Sequence, residues 1–256
     1  MTSPLFIATP ETLPRTVTQT QQLTLPPDLF RHAVRSMRLG EGDELTLSDG
    51  LGMRVTATLE DPENGVVRVT ATEVEEKPRV RISLVQALAK GGRDEMAIEE
   101  STEIGVDGVI PWQADRSIVQ WSGAKAAKAQ RKWTQILTAA TEQSRRAWIP
   151  QLSDVMSTKQ LVRFCEKETA EGNLFVVLHQ DATKTWEGIE QAAEQLTDGK
   201  TVYFVVGPEG GISDREIEQL TQAGAEVVVI GRTILRASTA GPVAVALLSR
   251  TLGRFS

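Results

Sequence analysis

The fold of this chain is decided by the stretch Thr201-Val202-Tyr203-Phe204-Val205-Val206-Gly207-Pro208-Glu209-Gly210-Gly211. Residues 201–206 form an apolar run typical of a buried parallel strand. Ser213 follows as a candidate helix N-cap, with Glu216 as its capping-box partner at the start of a helix over 214–223. A strand, a glycine-rich turn and a capped helix in this order predict an α/β sheet with a ligand at the carboxyl end of the strand.

The turn itself matches neither the Gly-x-Gly-x-x-Gly dinucleotide motif nor a phosphate loop ending in Gly-Lys-Ser/Thr. A tight connection between strand and helix is the alternative interpretation. Five such residues around a carboxylate are more than a turn requires, so the sequence favours a small-molecule site.

A second loop, Ile230-Gly231-Arg232-Thr233-Ile234-Leu235-Arg236-Ala237-Ser238-Thr239-Ala240, follows the predicted strand over 225–230. Its apolar pair, Ile234 and Leu235, could form the floor under a flat ring, and Arg236 could hold a phosphate or polarise a base carbonyl. Equally, Ile234 and Leu235 could belong to the core and Arg236 to solvent.

Strands and helices alternate through the rest of the second half. Strands are predicted over 80–87, 108–111 and 174–178, and helices over 94–104, 122–145 and 240–249. This alternation predicts an α/β domain with a parallel sheet.

The first part of the chain has the pattern of a small β-barrel. Short strands are predicted over 44–48, 53–59 and 66–74, with tight turns at Asp49-Gly50 and Asn64-Gly65. One helix over 27–37 begins with Pro27 in its first turn. Residues 73–78 are charged, end in proline and are predicted to be a linker, which divides the chain into domains 1–76 and 77–256.

Composition excludes several classes of site. Cys165 is the single cysteine, and His32 and His179 are the two histidines, among 256 residues. An intramolecular disulfide and a thiolate zinc cluster are therefore impossible, and no metal site is expected. No apolar run approaches the roughly 18 residues of a membrane span, and no secretory signal is recognised at the N-terminus. We therefore expect a cytoplasmic protein with no membrane partner.

The charge pattern leaves two interpretations open. A net charge of −6 argues against a nucleic-acid partner, and a solvated mixed surface is the simpler explanation. The average nevertheless hides two basic sets, which are Arg15, Arg31, Arg35 and Arg38, and Arg116, Lys125, Lys128, Arg131, Lys132, Arg145 and Arg146.

Both loops closely resemble the S-adenosylmethionine (SAM) motifs of the RsmE family, which are 16S ribosomal RNA uridine-N3 methyltransferases of the SPOUT class. Further stretches agree with the family in order: Gln86-Ala87-Leu88-Ala89-Lys90-Gly91 with Glu95, Thr102-Glu103-Ile104-Gly105-Val106, Pro111 with Arg116-Ser117, Ala140-Thr141-Glu142-Gln143-Ser144 with Arg146, Ile149-Pro150, and, in the first domain, His32, Arg38, Gly42 and Asp49-Gly50. The resemblance covers nearly the whole chain. It departs at Ser238, where the family often has glutamate.

The resemblance implies a fold and a set of partners. The C-terminal domain would contain a deep trefoil knot, and the N-terminal domain would be a PUA-like barrel that helps to hold RNA. The chain would form a homodimer with each SAM pocket beside the subunit interface. The small-residue helix 241–249 could form that interface, or it could equally be core.

The resemblance also implies roles for individual residues. Arg236 and Glu209 are the catalytic candidates, although Glu209 could equally brace its loop. The cofactor-binding candidates are Leu178, His179, Val206, Gly207, Pro208, Glu209, Gly210, Gly211, Ile230, Gly231, Ile234, Leu235, Arg236 and Ser238. The RNA-binding candidates are Arg31, Arg35, Arg38, Lys90, Arg116 and Arg146.

Two other functions remain possible from sequence. A PUA-like domain joined to an inert SAM-binding domain could act as a ribosome-assembly factor without catalysis. A SPOUT enzyme could also methylate another RNA, such as transfer RNA, or a ribose hydroxyl.

Overall fold

The computed structural model describes residues 3–255, and its first strands form a five-stranded sheet. The elements of this region are β1 (Leu5–Ile7), β2 (Gln22–Thr24), α1 (Pro27–Phe30), β3 (Glu44–Ser48), β4 (Met53–Asp61) and β5 (Val66–Val74). α1 continues as a π-helical segment over Arg31–Ser36, so the predicted helix is present but changes its hydrogen-bond pattern after one turn.

The strand order of this sheet is β1-β3-β4-β5-β2. β1 pairs with β3 in parallel, and the remaining pairs are antiparallel. Alternate side chains of β4 are buried, as expected for a strand with one face on a core. Because β1 and β2 form the two edges among the described residues, the predicted barrel is observed here as an open half-barrel.

A segment from later in the chain completes this first unit. The unit comprises the chain through Lys77 together with Thr141–Ile149, and the second unit comprises Pro78–Ala140 and the chain from Pro150 onward. The two compact units therefore interleave along the sequence. The assignment of 1–76 to RNA binding and 77–256 to catalysis stays a prediction.

The segment Thr141–Ile149, which we call the returning segment, is held by backbone groups of the first sheet and its turns. The Glu142 carboxylate accepts a hydrogen bond from the Ile7 N–H at 2.9 Å. The Gly52 N–H donates to the Ala147 carbonyl at 3.0 Å, and Ala147 is fully buried. The segment around Glu142 is therefore part of the first unit.

The second unit is built on a separate, parallel sheet. Its elements, with those shared with the first unit included, are β6 (Arg81–Ala87), α2 (Arg93–Ile104), β7 (Gly108–Gln113), α3 (Gly123–Ser144), β8 (Gln151–Leu152), β9 (Met156–Ser157), α4 (Thr158–Ala170), β10 (Leu174–Leu178), β11 (Lys184–Thr185), α5 (Trp186–Glu194), β12 (Thr201–Val206), α6 (Asp214–Gln222), β13 (Glu226–Val229) and α7 (Ala237–Thr251).

All strand pairs of the second unit are parallel, as predicted, in the order β11-β13-β10-β12-β6-β7-β8, with β9 also paired to β7. α2, α5 and α7 pack on one face of the sheet, and α4 and α6 pack on the other. β12, with all its residues buried, lies at the centre. The glycine-rich turn after β12 is therefore in the middle of the carboxyl edge of the sheet, where ligands bind in open α/β folds.

No helix among residues 3–255 has the length and apolarity that a membrane span requires.

Candidate functional site

Two adjoining cavities open at the carboxyl ends of β10, β12 and β13. The inner cavity is lined by most of the predicted cofactor residues, namely Leu178, His179, Val206, Gly207, Pro208, Gly211, Ile230, Gly231, Ile234 and Leu235. The outer cavity, of about 480 Å³, is lined by Glu209, Gly210 and Arg236 together with residues of the inner one. The two loops singled out by sequence therefore meet in space, although they are separated by the helix α6 and the strand β13.

Apolar atoms form slightly more than half of the lining of the inner cavity, and polar atoms form slightly more than half of the lining of the outer cavity. Ile212, Val229 and Ala240 complete the apolar wall of the inner cavity, although the sequence did not point to them. Arg93 and Arg116 line the outer cavity with Arg236. A smaller, more apolar space that opens into a larger one lined by three arginines suits a ligand with a flat ring and a polar remainder.

The turn after β12 needs its glycines for two different reasons. A Cβ added at Gly207 would lie 2.6 Å from the Cγ1 atom of Ile212, which is closer than packed atoms can approach. Gly211 has a φ of +74°, a left-handed conformation that favours glycine. The turn therefore keeps the backbone close to the inner cavity, with little side-chain material between them.

Glu209 is held by two donors from the loop before α2. Its Oε1 atom accepts hydrogen bonds from the Arg93 guanidinium at 2.9 Å and from the Lys90 N–H at 3.1 Å. The Glu209 side chain keeps 20% of its surface exposed. This geometry favours the bracing role for Glu209, since both contacts join the turn after β12 to the loop after β6.

Asp94, in the first turn of α2, holds the loop that precedes this helix. Its Oδ2 atom accepts a hydrogen bond from the Ala89 N–H at 3.1 Å. Burial raises the pKa of the Asp94 carboxyl above its ordinary value. Asp94 thereby holds the chain that presents Lys90 and Arg93 to Glu209.

The three arginines of the outer cavity differ in how firmly they are bound. Arg93 is paired with Glu209, and Arg116 donates to the Gly210 carbonyl at 3.1 Å. The exposed Arg236 guanidinium has no hydrogen-bond or ion-pair partner among residues 3–255. Arg236 is therefore the cation at this site that is available to a ligand.

Glu216 anchors the helix that follows the glycine-rich turn. The predicted capping box between Ser213 and Glu216 is present. The fully buried Glu216 carboxylate also accepts hydrogen bonds from the Asp115 N–H at 2.8 Å and from the Thr158 hydroxyl at 2.7 Å. The start of α6 is thus tied to the chain after β7 and to the start of α4.

Other predicted residues occupy different environments. The His179 N–H donates to the Val228 carbonyl at 2.9 Å, and its ring Nδ1 accepts from the Asp181 N–H at 3.3 Å, so both groups hold the loop after β10. Ser238 is buried in the first turn of α7 and lines neither cavity. The position at which the chain departs from the family pattern is therefore a packing position here.

The predicted RNA contacts fall into two groups. Lys90 is exposed and, with Arg116, belongs to the loops around the outer cavity. Arg31, Arg35 and Arg38, which are also exposed, and the partly buried Arg146 belong to the first unit.

Family comparisons agree with this arrangement. A family model described as an RNA methyltransferase domain matches residues 75–249, and one described as an RNA methyltransferase PUA domain matches residues 25–70. The chain is 40% identical over 215 residues to the ribosomal RNA small subunit methyltransferase E of Mycobacterium bovis, covering 83% of this chain and 80% of that protein. It is 30% identical over 223 residues to the protein of the same name from Bacillus subtilis, covering 85% and 86%.

A solved structure has the same fold. The ribosomal RNA small subunit methyltransferase E of Neisseria gonorrhoeae, bound to S-adenosyl methionine, superposes with a TM-score of 0.82 at 26% identity, covering 97% of this chain and 98% of that one.

Proposed function

The chain belongs to the ribosomal RNA small subunit methyltransferase E family of RNA methyltransferases, and from this premise we propose that it uses SAM to methylate N3 of one uridine in 16S ribosomal RNA, during or after assembly of the small subunit. The observation that carries this proposal is the pair of cavities at the carboxyl edge of the second sheet, formed by the two loops that resemble SAM motifs.

The inner cavity has the properties that a SAM pocket requires. Apolar side chains of Val206, Ile230 and Leu235 can enclose an adenine ring, and the bare backbone at Gly207 leaves room for the rest of the molecule. When bound, SAM would supply a methyl group on a positively charged sulfur. The methyl–sulfur bond would break as the bond to uridine N3 forms, and the neutral thioether S-adenosylhomocysteine would leave.

The outer cavity would receive the target base. Uridine N3 carries a proton and is a poor nucleophile until that proton leaves. The negative charge of the deprotonated ring spreads to the carbonyl oxygens beside N3, and a fixed cation close to them would stabilise it. Arg236 has that role in our proposal, because its guanidinium is unpaired and lines this cavity. Proximity and alignment supply much of the remaining rate acceleration.

We assign Glu209 to positioning. Its Oε1 atom already accepts two hydrogen bonds, from the Arg93 guanidinium and from the Lys90 N–H, so the side chain is engaged in joining two loops. Its pair with Arg93 keeps the turn after β12 in the conformation that borders both cavities.

The first unit would hold the RNA. Arg31 and Arg35 are exposed on the helical segment that continues α1, and Arg38 is exposed two residues after its end; all three lie within the region matched by the PUA family model. Cations of this kind bind the sugar-phosphate chain without reading its sequence. Structured RNA is recognised largely by shape, and a base within it must be unstacked before N3 can be reached. A ribosomal substrate implies a cytoplasmic location.

The path of the chain supports the knot. β13 pairs on the outer side of β10, yet α7, which follows β13, packs back against β6, β12 and α2. The chain thus returns across strands that it has already formed, as a trefoil knot requires. We accordingly propose that the C-terminal domain has the deep trefoil knot of SPOUT enzymes, and that the half-barrel is a PUA-like barrel.

We also propose a homodimer formed in part by α7. One face of this helix is core, since Ala244, Val245 and Leu248 are fully buried. Val243, Ala246 and Leu247 are only partly buried, and they lie on another face at helical spacing. A Leu247→Glu variant should sediment as a monomer if this face joins two copies, whereas an unchanged dimer would refute this interface.

A methyl-transfer assay tests the reaction. The protein is incubated with labelled SAM and small-subunit RNA, or small-subunit particles, that lack the modification, and the labelled nucleotide is identified by mass spectrometry. We expect one equivalent of N3-methyluridine. Methylation at another atom, or of transfer RNA alone, would support the rival SPOUT activity. Stoichiometric SAM binding without transfer would support an assembly factor.

Calorimetry tests the SAM pocket separately. Gly207→Ala adds a Cβ that meets Ile212, and we expect SAM affinity to fall by at least about tenfold. Gly188→Ala is the matched control, because a Cβ at that helical position meets nothing within 4 Å. Equal affinities for the two variants would count against the pocket.

A further inference from the structure

α3 carries a basic face that the proposed site does not use. Lys125, Lys128, Arg131 and Lys132 are all exposed, and they are four of the eight residues 125–132. No aspartate or glutamate occurs in the helix before Glu142. In a chain with a net charge of −6, so dense a set of cations on one helix is a local exception.

These cations lie on the side of α3 that faces solvent. Trp133 and Leu137 are 1% exposed and Ala140 is 3% exposed, which identifies the opposite side as the one packed into the second unit. At about 100° per residue, the cations fall within roughly 120° of the helix circumference, away from the buried side. We call this surface the α3 basic face.

At its C-terminal end, the α3 basic face contacts α2, the helix whose first residue, Arg93, lines the outer cavity. The Lys132 ammonium pairs with the Glu95 carboxylate at 2.6 Å. Glu95 is two residues from Arg93, which lines the outer cavity and holds Glu209. Because Lys132 is neutralised by Glu95, the available charge belongs to Lys125, Lys128 and Arg131.

The start of α3 is also held in place. The backbone N–H of Trp121 donates to the Gln113 side chain at 3.0 Å. The Trp121 ring packs edge-on against Trp133, with ring centroids 5.0 Å apart. A rigid row of cations rising about 1.5 Å per residue along the helix suits a phosphodiester chain, which presents repeated negative charges.

We propose that the α3 basic face binds the phosphate backbone of the substrate RNA next to the nucleotide in the outer cavity. This inference rests on the proposed function, and it adds a contact surface on the catalytic unit itself. The contact is electrostatic and independent of sequence, so it would anchor the strand and leave recognition of the uridine to the cavity.

The test neutralises the available charge. The triple variant Lys125→Gln, Lys128→Gln, Arg131→Gln is compared with wild type for binding to transcribed small-subunit RNA across a KCl series. Removing three phosphate contacts should reduce the slope of log K against log salt by about 2 to 3. RNA affinity and the KM for RNA should worsen at least about tenfold, while SAM affinity and kcat at saturating RNA stay unchanged.

Two controls make the outcome specific. The triple variant Lys159→Gln, Arg163→Gln, Lys167→Gln removes the same charge from α4, where acids are interspersed, and should bind RNA like wild type. Exchanging the type of cation, with Lys125→Arg, Lys128→Arg and Arg131→Lys, should also preserve binding.

A wild-type salt slope and RNA affinity in the neutralised α3 variant would overturn the inference. The proposed function would fail separately, by absence of methyl transfer from the wild-type protein, because RNA binding is measured without SAM turnover.

Discussion

At the scale of single residues, the three arginines of the outer cavity differ in whether other residues already bind their guanidinium groups. Arg93 and Arg116 are engaged by Glu209 and by the Gly210 carbonyl, so their charge is used to hold loops. Arg236 is at the N-cap position of α7, where the backbone is extended and its carbonyl begins the helix. Its guanidinium has no partner among residues 3–255, so its charge is available to stabilise negative charge on a ligand in the outer cavity.

We predict that Arg236→Ala lowers kcat by about 10²- to 10³-fold, the usual effect of removing one group that stabilises charge in the transition state. SAM affinity should fall little, because the inner cavity keeps its apolar wall. Arg232→Ala is the control, since Arg232 is an exposed arginine of the same loop that lines neither cavity. Single-turnover rates measure the loss of turnover, and calorimetry measures the SAM affinity. Near-wild-type turnover of Arg236→Ala would show that Arg236 does not take part in the chemistry.

Glu209 offers a second test at this scale. Glu209→Gln keeps an oxygen for the Lys90 N–H and weakens the contact with Arg93, so a bracing role predicts a loss of turnover below about tenfold and an unchanged pH–rate profile. A proton-accepting carboxylate would instead cost at least about 10²-fold and would remove a limb of that profile. The profile of kcat/KM between pH 5 and 9 therefore distinguishes the two roles.

At the scale of elements, Glu216 determines where α6 begins. Its buried carboxylate receives donors from the helix N-cap, from the chain after β7 and from α4, so three elements meet at one side chain. The glycine-rich turn ends directly before this junction.

We predict that Glu216→Ala destabilises the protein by about 2 to 4 kcal/mol, because it leaves the Asp115 N–H and the Thr158 hydroxyl without their buried acceptor. Glu218→Ala, on the exposed side of the same helix, should change stability by less than about 0.5 kcal/mol. Urea unfolding gives both values. Similar losses in the two variants would mean that the junction contributes little.

Local patterns predicted the elements that they control. β3, β5, β10 and β12 have the predicted bounds, since each is an alternating or apolar run with a clear end. α4 was not predicted, because its buried face includes Glu168, which accepts hydrogen bonds from Tyr203 and Asn173 and so hides the apolar period. β8, β9 and β11 have two residues each and owe their existence to pairing with distant strands.

The same reasoning explains what was found of the site. Its two loops are continuous in sequence, so their glycines and apolar residues could be recognised locally. Arg93 was missed because its partner Glu209 is 116 residues away. Such contacts depend on the sheet order β12-β6, which no local pattern contains.

At the scale of the whole molecule, the burial of two weakly acidic side chains, Cys165 and Tyr203, makes the folded protein less stable at alkaline pH. Cys165 is fully buried, and burial raises the pKa of its thiol from 9.0 to about 12. Burial and the neighbouring Glu168 also raise the pKa of Tyr203. The unfolded chain would lose these protons first as the pH rises, so the unfolded state gains stability above pH 9.

We therefore predict that the Cys165 thiol leaves the free energy of unfolding unchanged below about pH 8 and lowers it by about 1.4 kcal/mol by pH 10. Cys165→Ala should show a smaller loss over the same range, although its stability at pH 7 is lower because of the cavity. Urea unfolding between pH 7 and 10.5 measures both curves. If the free energy of unfolding changes with pH in the same way in both proteins, the raised pKa of the Cys165 thiol is contradicted.

The interleaving of the two units is the other property of the whole chain. Glu142 and Ala147 satisfy the N–H groups of Ile7 and Gly52, and the Trp148 indole donates to the Glu75 carbonyl at 3.0 Å. A fragment cut at the end of the first sheet would keep its apolar core, which lies within residues 6–69. It would lose the partners of these backbone groups.

We predict that residues 1–77 alone unfold at a lower denaturant concentration than the same residues followed, through a flexible glycine-serine linker, by 141–149. Each hydrogen bond to the returning segment contributes about 0.5 to 1.5 kcal/mol net, and several are lost together. Amide exchange should locate the difference at Ile7 and Gly52, which exchange quickly in the short fragment and slowly in the extended one. A scrambled 141–149 segment on the same linker is the control. Equal midpoints for the three fragments would show that the first unit needs only its continuous part, and that its boundary is the one at residue 77.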